Sequence, residues 1–299
     1  MKVETRSAWM VAGAGALWGL ISLFVRVLQA QGLSSLQIVF FRNLLAAAVL
    51  GLVILIRDRK ALRFRLRDTW MFVGTGMISI ALFNYCYFVT LSRSSVAVAS
   101  LLLYTSPIFI MALSVILFHE KMTKQKLVAL VITIVGCACI TGVFSQAQAV
   151  APLTVLLGLG SGLFYGLYSI FGKFALQKYH AMTVSFYTFV FAALATAPFC
   201  AADCAAFTVA HPEGLLAGLG LAVISTVAPF LLYTGGLKGI QASRAAVLAT
   251  VEPLVGSLLG VLVFHDPFTV WTLLGMVLIF SSIAVLQTPR RTKLEAMHG

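Results

Sequence analysis

Charge is scarce in this chain: of 299 residues only 10% are charged, against 61% hydrophobic, and the mean hydropathy is +1.01. A soluble domain carries roughly 25% charged and about 45–50% apolar residues, so this composition excludes an ordinary water-facing surface and makes lipid the solvent. Acids are scarcer still, 9 against 21 Lys and Arg, for a formal net charge of +12. The basic residues sit between apolar runs, as the cytoplasmic bias of membrane proteins demands, and nucleic acid is not expected as a partner. Cysteine is limited to Cys86, Cys137, Cys139, Cys200 and Cys204, without CxxC spacing or neighbouring His. They read as small packing residues, and a bridge between Cys200 and Cys204, four residues apart near one membrane face, is not expected. HExxH, P-loop, GxSxG and metal-spaced clusters are all missing, so neither catalysis nor a cofactor or metal is expected.

What is present is a series of long apolar runs. They fall at about residues 8–28, 35–56, 70–91, 95–118 and 125–144, then 153–176, 181–200, 214–236, 243–264 and 268–287. Each is near the roughly 20 residues that cross a bilayer as a helix, and none alternates as a barrel strand does. The expected fold is therefore all-α and integral to the membrane, with ten transmembrane helices. The apolar run after Lys2 and Arg6 is too long for a signal-peptide core and reads as the first span. Basic residues test the count. With the first terminus in the cytoplasm, inner segments hold Lys2, Arg6, Arg57, Arg59, Lys60, Arg63, Arg65, Arg67, Lys121, Lys124, Lys126, Lys178, Lys238, Arg244, Arg290, Arg291 and Lys293. Outer connectors hold Arg93 alone. A multi-pass protein of the cytoplasmic (inner) membrane with both termini inside follows. The stretch from Arg57 to Asp68 reads as a short positive-inside loop, or as a basic strip lying on anionic lipid.

The chain also repeats itself. Residues 87–127 align without gaps to 233–273 at an offset of 146, pairing Tyr87 with Tyr233, Pro107 with Pro253, Phe118 with Phe264, His119 with His265 and Glu120 with Asp266. The first helices align at 147, placing Gly15, Gly19 and Phe24 on Gly162, Gly166 and Phe171. Residues 1–147 and 148–299 are thus expected to be two five-helix repeats. An odd number of spans per copy threads the second through the membrane in the opposite sense, the inverted arrangement that allows exchange between two states.

The pattern resembles the drug/metabolite transporters of the EamA type over essentially the whole chain. The resemblance is carried by Trp18 and Gly19, by Phe41 and Arg42, by the stretch Tyr104, Thr105, Ser106 and Pro107, by the run from Phe118 to Thr123, and by Glu252 and Pro253. It implies ten helices in two inverted halves around a central substrate cavity, and export of amino acids, other small metabolites or drugs. Asp266 and Pro267 depart from the family's loop, where a Glu and a flexible residue are usual.

Four charged residues lie inside apolar runs, and such residues generally face a cavity or a partner. Glu252, beside Pro253, reads either as a carboxylate that takes a proton or a substrate amine, or as one that ties two helices together. Arg42, about 10 Å deep at 1.5 Å per residue, reads as a carboxylate ligand or as a scaffold residue. Trp18, Ser22 and Arg26 share one helix face, and Tyr165, Ser169 and Lys173 repeat it at the 147 offset. Arg26 and Lys173 then fall at opposite mouths of a pathway, as gates or as snorkelling cations. Tyr85, Tyr87, Tyr104, Tyr165, Tyr168, Tyr233 and Asn84 are candidate cavity residues, with Trp18, Asn84, Tyr104 and Tyr165 foremost. Pro107 and Pro253 are candidate points of helix flexing. Glycines at Gly15 and Gly19, at Gly158, Gly162 and Gly166, and at Gly256 and Gly260 read as close-packing surfaces.

The function expected is secondary transport of a small metabolite by alternating access, most plausibly export of an amino acid, since Arg26, Arg42 and Lys173 outnumber Glu252 and aromatics accompany them. Alternatives are a multidrug or cationic-compound exporter and, further off, a metabolite importer. The expected partners are a small-molecule substrate and the lipid bilayer, with the protein a monomer or a weak homodimer.

Overall fold

The computed structural model describes residues 3–145 and 150–287. Lys2, Arg290, Arg291, Lys293 and the expected boundary between the repeats at 147 and 148 lie outside the described residues.

Ten helices long and apolar enough to cross a membrane follow one another, with no strand among the described residues. They are α1 (Val3–Ala30), α2 (Ser35–Arg57), α3 (Leu66–Arg93), α4 (Val96–Phe118), α5 (Lys124–Thr141), α6 (Pro152–Ala175), α7 (Ala181–Ala210), α8 (Pro212–Leu237), α9 (Ala242–Phe264) and α10 (Val270–Gln287). Their boundaries have local causes. Ser34 opens α2 with a capping box, its amide donating to Gln37 Oε1 at 2.8 Å, which satisfies donors that a helix start leaves free. Ser95 caps α4 and Thr123 caps α5 more simply, their side-chain hydroxyls accepting from Val98 N and Lys126 N. At the ends of α4 and α9, His119 and His265 take left-handed φ values of 53° and 56°. The chain then turns back, with Glu120 N donating to Ser114 O and Asp266 N to Gly260 O. Matching positions of the repeat thus end their helices alike.

Helix α7 is longer than its apolar run suggests, continuing past residue 200 to Ala210. Asp203, beyond the end of the expected run, is accommodated because its carboxylate accepts from Gln37 Nε2 at 2.8 Å.

Three helices are interrupted where a uniform span would be expected. Helix α4 consists of Val96–Leu103 and Ser106–Phe118, and α9 of Ala242–Ala249 and Val251–Phe264, with Pro107 early in the second piece of α4. Helix α1 is likewise divided, between Gly19 and Ile21. Helices α3 and α8 each contain a wider π turn, Gly74–Ala81 and Val223–Val227, where Ser79 Oγ and Thr226 Oγ donate to carbonyls five residues back, at 2.8 and 2.9 Å. Such turns often mark functional segments of helices.

Helix α5 packs on α10 and α2 on α7, while α1 lies against α8 and α9, and α6 against α3 and α4. In lipid the burial of apolar surface drives association little, so close van der Waals contact between small residues carries much of it. A Cβ on Gly15 would sit 2.6 Å from Ala249 O, and one on Gly162 would sit 2.8 Å from Thr105 Oγ1. Both glycines therefore seat one helical face against the break of its neighbour. Gly15→Val is expected to cost about 1–3 kcal/mol and to lower the melting temperature in detergent, whereas Gly13→Val, facing only Leu232 at 3.9 Å, is expected to leave it nearly unchanged. The outer faces are apolar, with Ile56, Leu156, Phe199 and Leu216 exposed, as lipid contact requires. All five cysteines are free and buried.

Candidate functional site

A hollow of about 1050 Å³ runs from the middle of the bundle to one face. Its mouth lies where α1 gives way to α2 (Gln29, Ser35), α3 to α4 (Ser95, Val96) and α9 to α10 (Asp266, Pro267). A smaller chamber of about 70 Å³ beneath it shares Trp18, Arg42 and Glu252. Trp18, Ser22, Arg42, Asn84, Tyr104 and Glu252 line the large hollow, and Tyr165, Ser169 and Tyr233 line the small one. These nine candidates therefore come together from α1, α2, α3, α4, α6, α8 and α9. Tyr85 does not join them and is exposed on the outside of the bundle, whereas Tyr87 and Tyr168 do.

Glu252 sits in the first turn of the second piece of α9. A helix start carries partial positive charge and free N–H groups, which favour a carboxylate there. Tyr165 OH donates to Glu252 Oε2 at 3.1 Å. Arg42 interacts electrostatically with Glu252 across the same wall, and its Nε is buried without a hydrogen-bond partner. A buried guanidinium N–H without a partner is costly, and an arriving acceptor relieves that cost. Rings close the floor: Trp18 meets Tyr165, Phe230 and Tyr233 at centroid distances of 6.5, 5.4 and 5.3 Å, and Phe83 meets Tyr165 at 5.3 Å. Asn84 turns its amide nitrogen to Ile80 O at 2.7 Å, which fixes the side chain against its own helix. Pro107 packs in the interior beside the α4 break, and Pro253 lines the hollow beside the α9 break.

Below the floor the bundle is shut. Ser169 Oγ and Tyr233 OH are 2.7 Å apart, and Tyr168 OH and Thr234 Oγ1 are 2.6 Å apart. One layer further, Lys173 Nζ meets Glu120 Oε1 at 2.8 Å. Glu120 also accepts from Ala242 N at 2.9 Å, from Ser243 N at 3.3 Å and from the Ser243 hydroxyl, and Lys126 lies 3.7 Å away. Burial by itself raises the Glu120 pKa, but hydrogen bonds from Lys173, Ser243 and Ala242 outweigh it and hold the carboxyl below its ordinary value. A lowered carboxylate contributes its stabilisation at neutral pH and loses it as pH falls through the lowered value. Closure of this face is therefore expected to persist through neutral pH and to weaken only in acid below the usual glutamate range of about 4.3. Proton-deuterium exchange of the Ala242 and Ser243 amides across a pH series, corrected for intrinsic rates, checks this. At the same face Asp68 accepts from Lys178 Nζ at 2.6 Å and Tyr179 OH at 2.7 Å, and Tyr187 OH donates to Leu62 O at 2.6 Å. The first two bonds tie the start of α3 to the connector between α6 and α7, and the third ties the basic connector 58–65 to α7.

At the open mouth Arg26 faces Asp266 at 3.7 Å with both side chains about half exposed, and its guanidinium lies 3.6 Å from the Phe264 ring centroid. Lys173 has the matching set, Glu120 and the Phe118 ring at 5.3 Å. The structure thus places Arg26 at the mouth and Lys173 under the floor. Sequence reasoning passed over Glu120 as part of the loop architecture. Its alignment with Asp266, opposite the Lys173 that aligns with Arg26, was the available signal.

Apolar helices surrounding an aromatic, charge-bearing hollow that reaches one face define a membrane transporter. The chain belongs to the EamA-like transporter family, whose model matches residues 5–142 and again residues 152–288. An uncharacterized transporter of Archaeoglobus fulgidus is 28% identical over 91% of this chain and 93% of its own length. The uncharacterized inner membrane transporter YicL of Salmonella typhimurium is 23% identical over 95% of each. A solved crystal structure shares the fold with a TM-score of 0.75 at 18% identity, covering 95% of this chain and 96% of the other.

Proposed function

We propose that this EamA-family transporter moves a small zwitterionic metabolite by alternating access, and that it is an amino acid exporter of the cytoplasmic membrane. The observation that carries the proposal is the hollow in which Arg42 and Glu252 face the same space above a floor of aromatic rings. A guanidinium suits a carboxylate, a carboxylate suits an ammonium, and Trp18, Phe83 and Tyr165 suit the apolar body between them. The hollow's volume of about 1050 Å³ stands at the upper end of the roughly 300–1,000 Å³ usual for small-molecule sites.

Two inverted five-helix halves, 1–147 and 148–299, supply the alternation. Support comes from the double match of the family model and from the helix pairs. Exchanging α1–α5 for α6–α10 turns the contact of α1 with α8 into that of α6 with α3, and the contact of α1 with α9 into that of α6 with α4. With the basic connectors inside, both termini are cytoplasmic and the open mouth faces outward. Arg26 and Lys173 then guard opposite mouths. Arg26→Ala and Lys173→Ala are expected to bias two-sided cysteine accessibility in opposite senses, and no change in either variant contradicts that role.

A second reading, a cationic-compound exporter, is favoured by the Tyr165–Glu252 pair. Reconstitution in liposomes decides between them. Uptake of radiolabelled aromatic and aliphatic amino acids, competed by unlabelled quaternary amines, is expected to follow the amino acids. Transport of quaternary amines that requires Glu252 but not Arg42 sinks the amino acid assignment.

A further inference from the structure

The two ends of the pathway carry matched side chains in two different states of bonding. Under the repeat, Ser22 corresponds to Ser169, Tyr87 to Tyr233, Arg26 to Lys173, Asp266 to Glu120, and Val96 and Ala97 to Ala242 and Ser243. At the shut end every member is engaged: serine with tyrosine at 2.7 Å, and Glu120 with the lysine, two amides and a hydroxyl at the start of α9. At the mouth Arg26 and Asp266 keep their pairing at 3.7 Å, but the other groups stand apart. Ser22 Oγ is shielded from solvent and has no partner, while Tyr87 OH lies 3.3 Å from Ser100 Oγ instead. Asp266 and Val96 both border the hollow, and Val96 is 64% exposed.

We propose that the mouth closes by making the bonds already made at the shut end. In that closure Tyr87 leaves Ser100 for Ser22, and Asp266, held by Arg26, caps the amides of Val96 and Ala97 at the start of α4. The shut end releases its own set in the same transition. Each end therefore has a two-layer latch, an inner serine–tyrosine bond and an outer carboxylate cap on a helix start. The proposal rests on the inverted, alternating reading given above.

The latches are unequal, and the inequality sets the resting state. Where the shut end has Glu120, Ser243 and Lys126, the mouth has Asp266, Ala97 and Thr272. The mouth's acid is one methylene shorter, its cap lacks one hydroxyl donor, and its second cation is missing. Fewer bonds form on closing the mouth than break on opening the other end, so without substrate the transporter rests with the mouth open.

Two cysteine reporters test this in a background whose five native cysteines are replaced by alanine. Ser257→Cys lines the open hollow, and Met111→Cys, its repeat equivalent, is 1% exposed and becomes reachable only when the shut end opens. Labelling rates with a polar maleimide are measured in detergent, with size-exclusion profiles confirming the fold of each variant. Ser243→Ala is expected to speed Met111→Cys by up to about fivefold, the worth of one hydrogen bond, and to slow Ser257→Cys by a smaller factor, since the mouth-open state dominates at rest. Ala97→Ser, which gives the mouth its missing donor, is expected to act in the same sense. Ser22→Ala and Asp266→Asn are expected to slow Met111→Cys further. If Ser243→Ala moves the two reporters oppositely while Ser22→Ala, Asp266→Asn and Ala97→Ser leave both at parental rates, the mouth latch is wrong and alternation stands. If no variant and no amino acid moves them in opposite senses, alternation itself fails and the latch with it.

Discussion

Arg42→Gln is expected to weaken binding of the proposed amino acid substrate by roughly ten- to a hundred-fold while leaving its carboxamide analogue nearly unaffected. Arg42 lines the hollow, and its Nε is buried without a hydrogen-bond partner. A hydrogen bond to a charged group contributes about 1.5–3 kcal/mol, and each 1.4 kcal/mol is tenfold in affinity. The carboxamide keeps the shape of the substrate and loses only the charge, so the difference between the two ligands isolates the ion pair from general damage to the site. Quenching of Trp18 fluorescence, with the other tryptophans replaced by phenylalanine, reads both affinities in one titration. Equal losses for both ligands assign Arg42 to holding the helices.

Glu252→Gln is the second variant from which a large effect is expected. The amide preserves the size of the side chain and an acceptor for Tyr165 OH, now 3.1 Å away, but removes the charge that an ammonium group meets. Affinity for the amino acid is expected to fall by roughly ten- to a hundred-fold, again the worth of a charge-assisted bond, with little change for the N-acetylated analogue. The same variant separates substrate recognition from proton coupling. If Glu252 carries a proton through the cycle, transport by Glu252→Gln loses its pH dependence; if the full pH dependence survives, coupling lies elsewhere.

Much of this architecture is legible in the residues themselves. Spans declare themselves because lipid admits only long apolar helices, and the arginines and lysines between them mark alternate connectors. The grouping of Trp18, Arg42, Tyr165 and Glu252 was also readable, since charge and polar aromatics inside spans have few places to face. Register-level events were hidden. In the π turns Ser79 and Thr226 donate to carbonyls five residues back, and nothing in a hydropathy pattern distinguishes that from an ordinary hydroxyl donating four back. The α9 break likewise places Glu252 at a helix start instead of beside a mid-helix kink. The continuation of α7 past residue 200 was hidden because Gln37, which accommodates Asp203, comes from a helix far along the chain. Glu120 escaped notice because its partners Lys173, Ala242 and Ser243 come from helices far along the chain.

The central claim is that two oppositely threaded halves open one hollow to one side at a time. Spin labels at Val96 and Phe268, both exposed at the mouth, report its width, and labels at Met122 and Lys238, both exposed on connectors of the shut face, report the other end. Double electron–electron resonance is measured on both pairs, with and without saturating substrate, in lipid nanodiscs. The account predicts that substrate populates a state in which the mouth pair is shorter and the opposite pair longer. Distances that stay fixed under every ligand, or that lengthen and shorten together at both faces, contradict it.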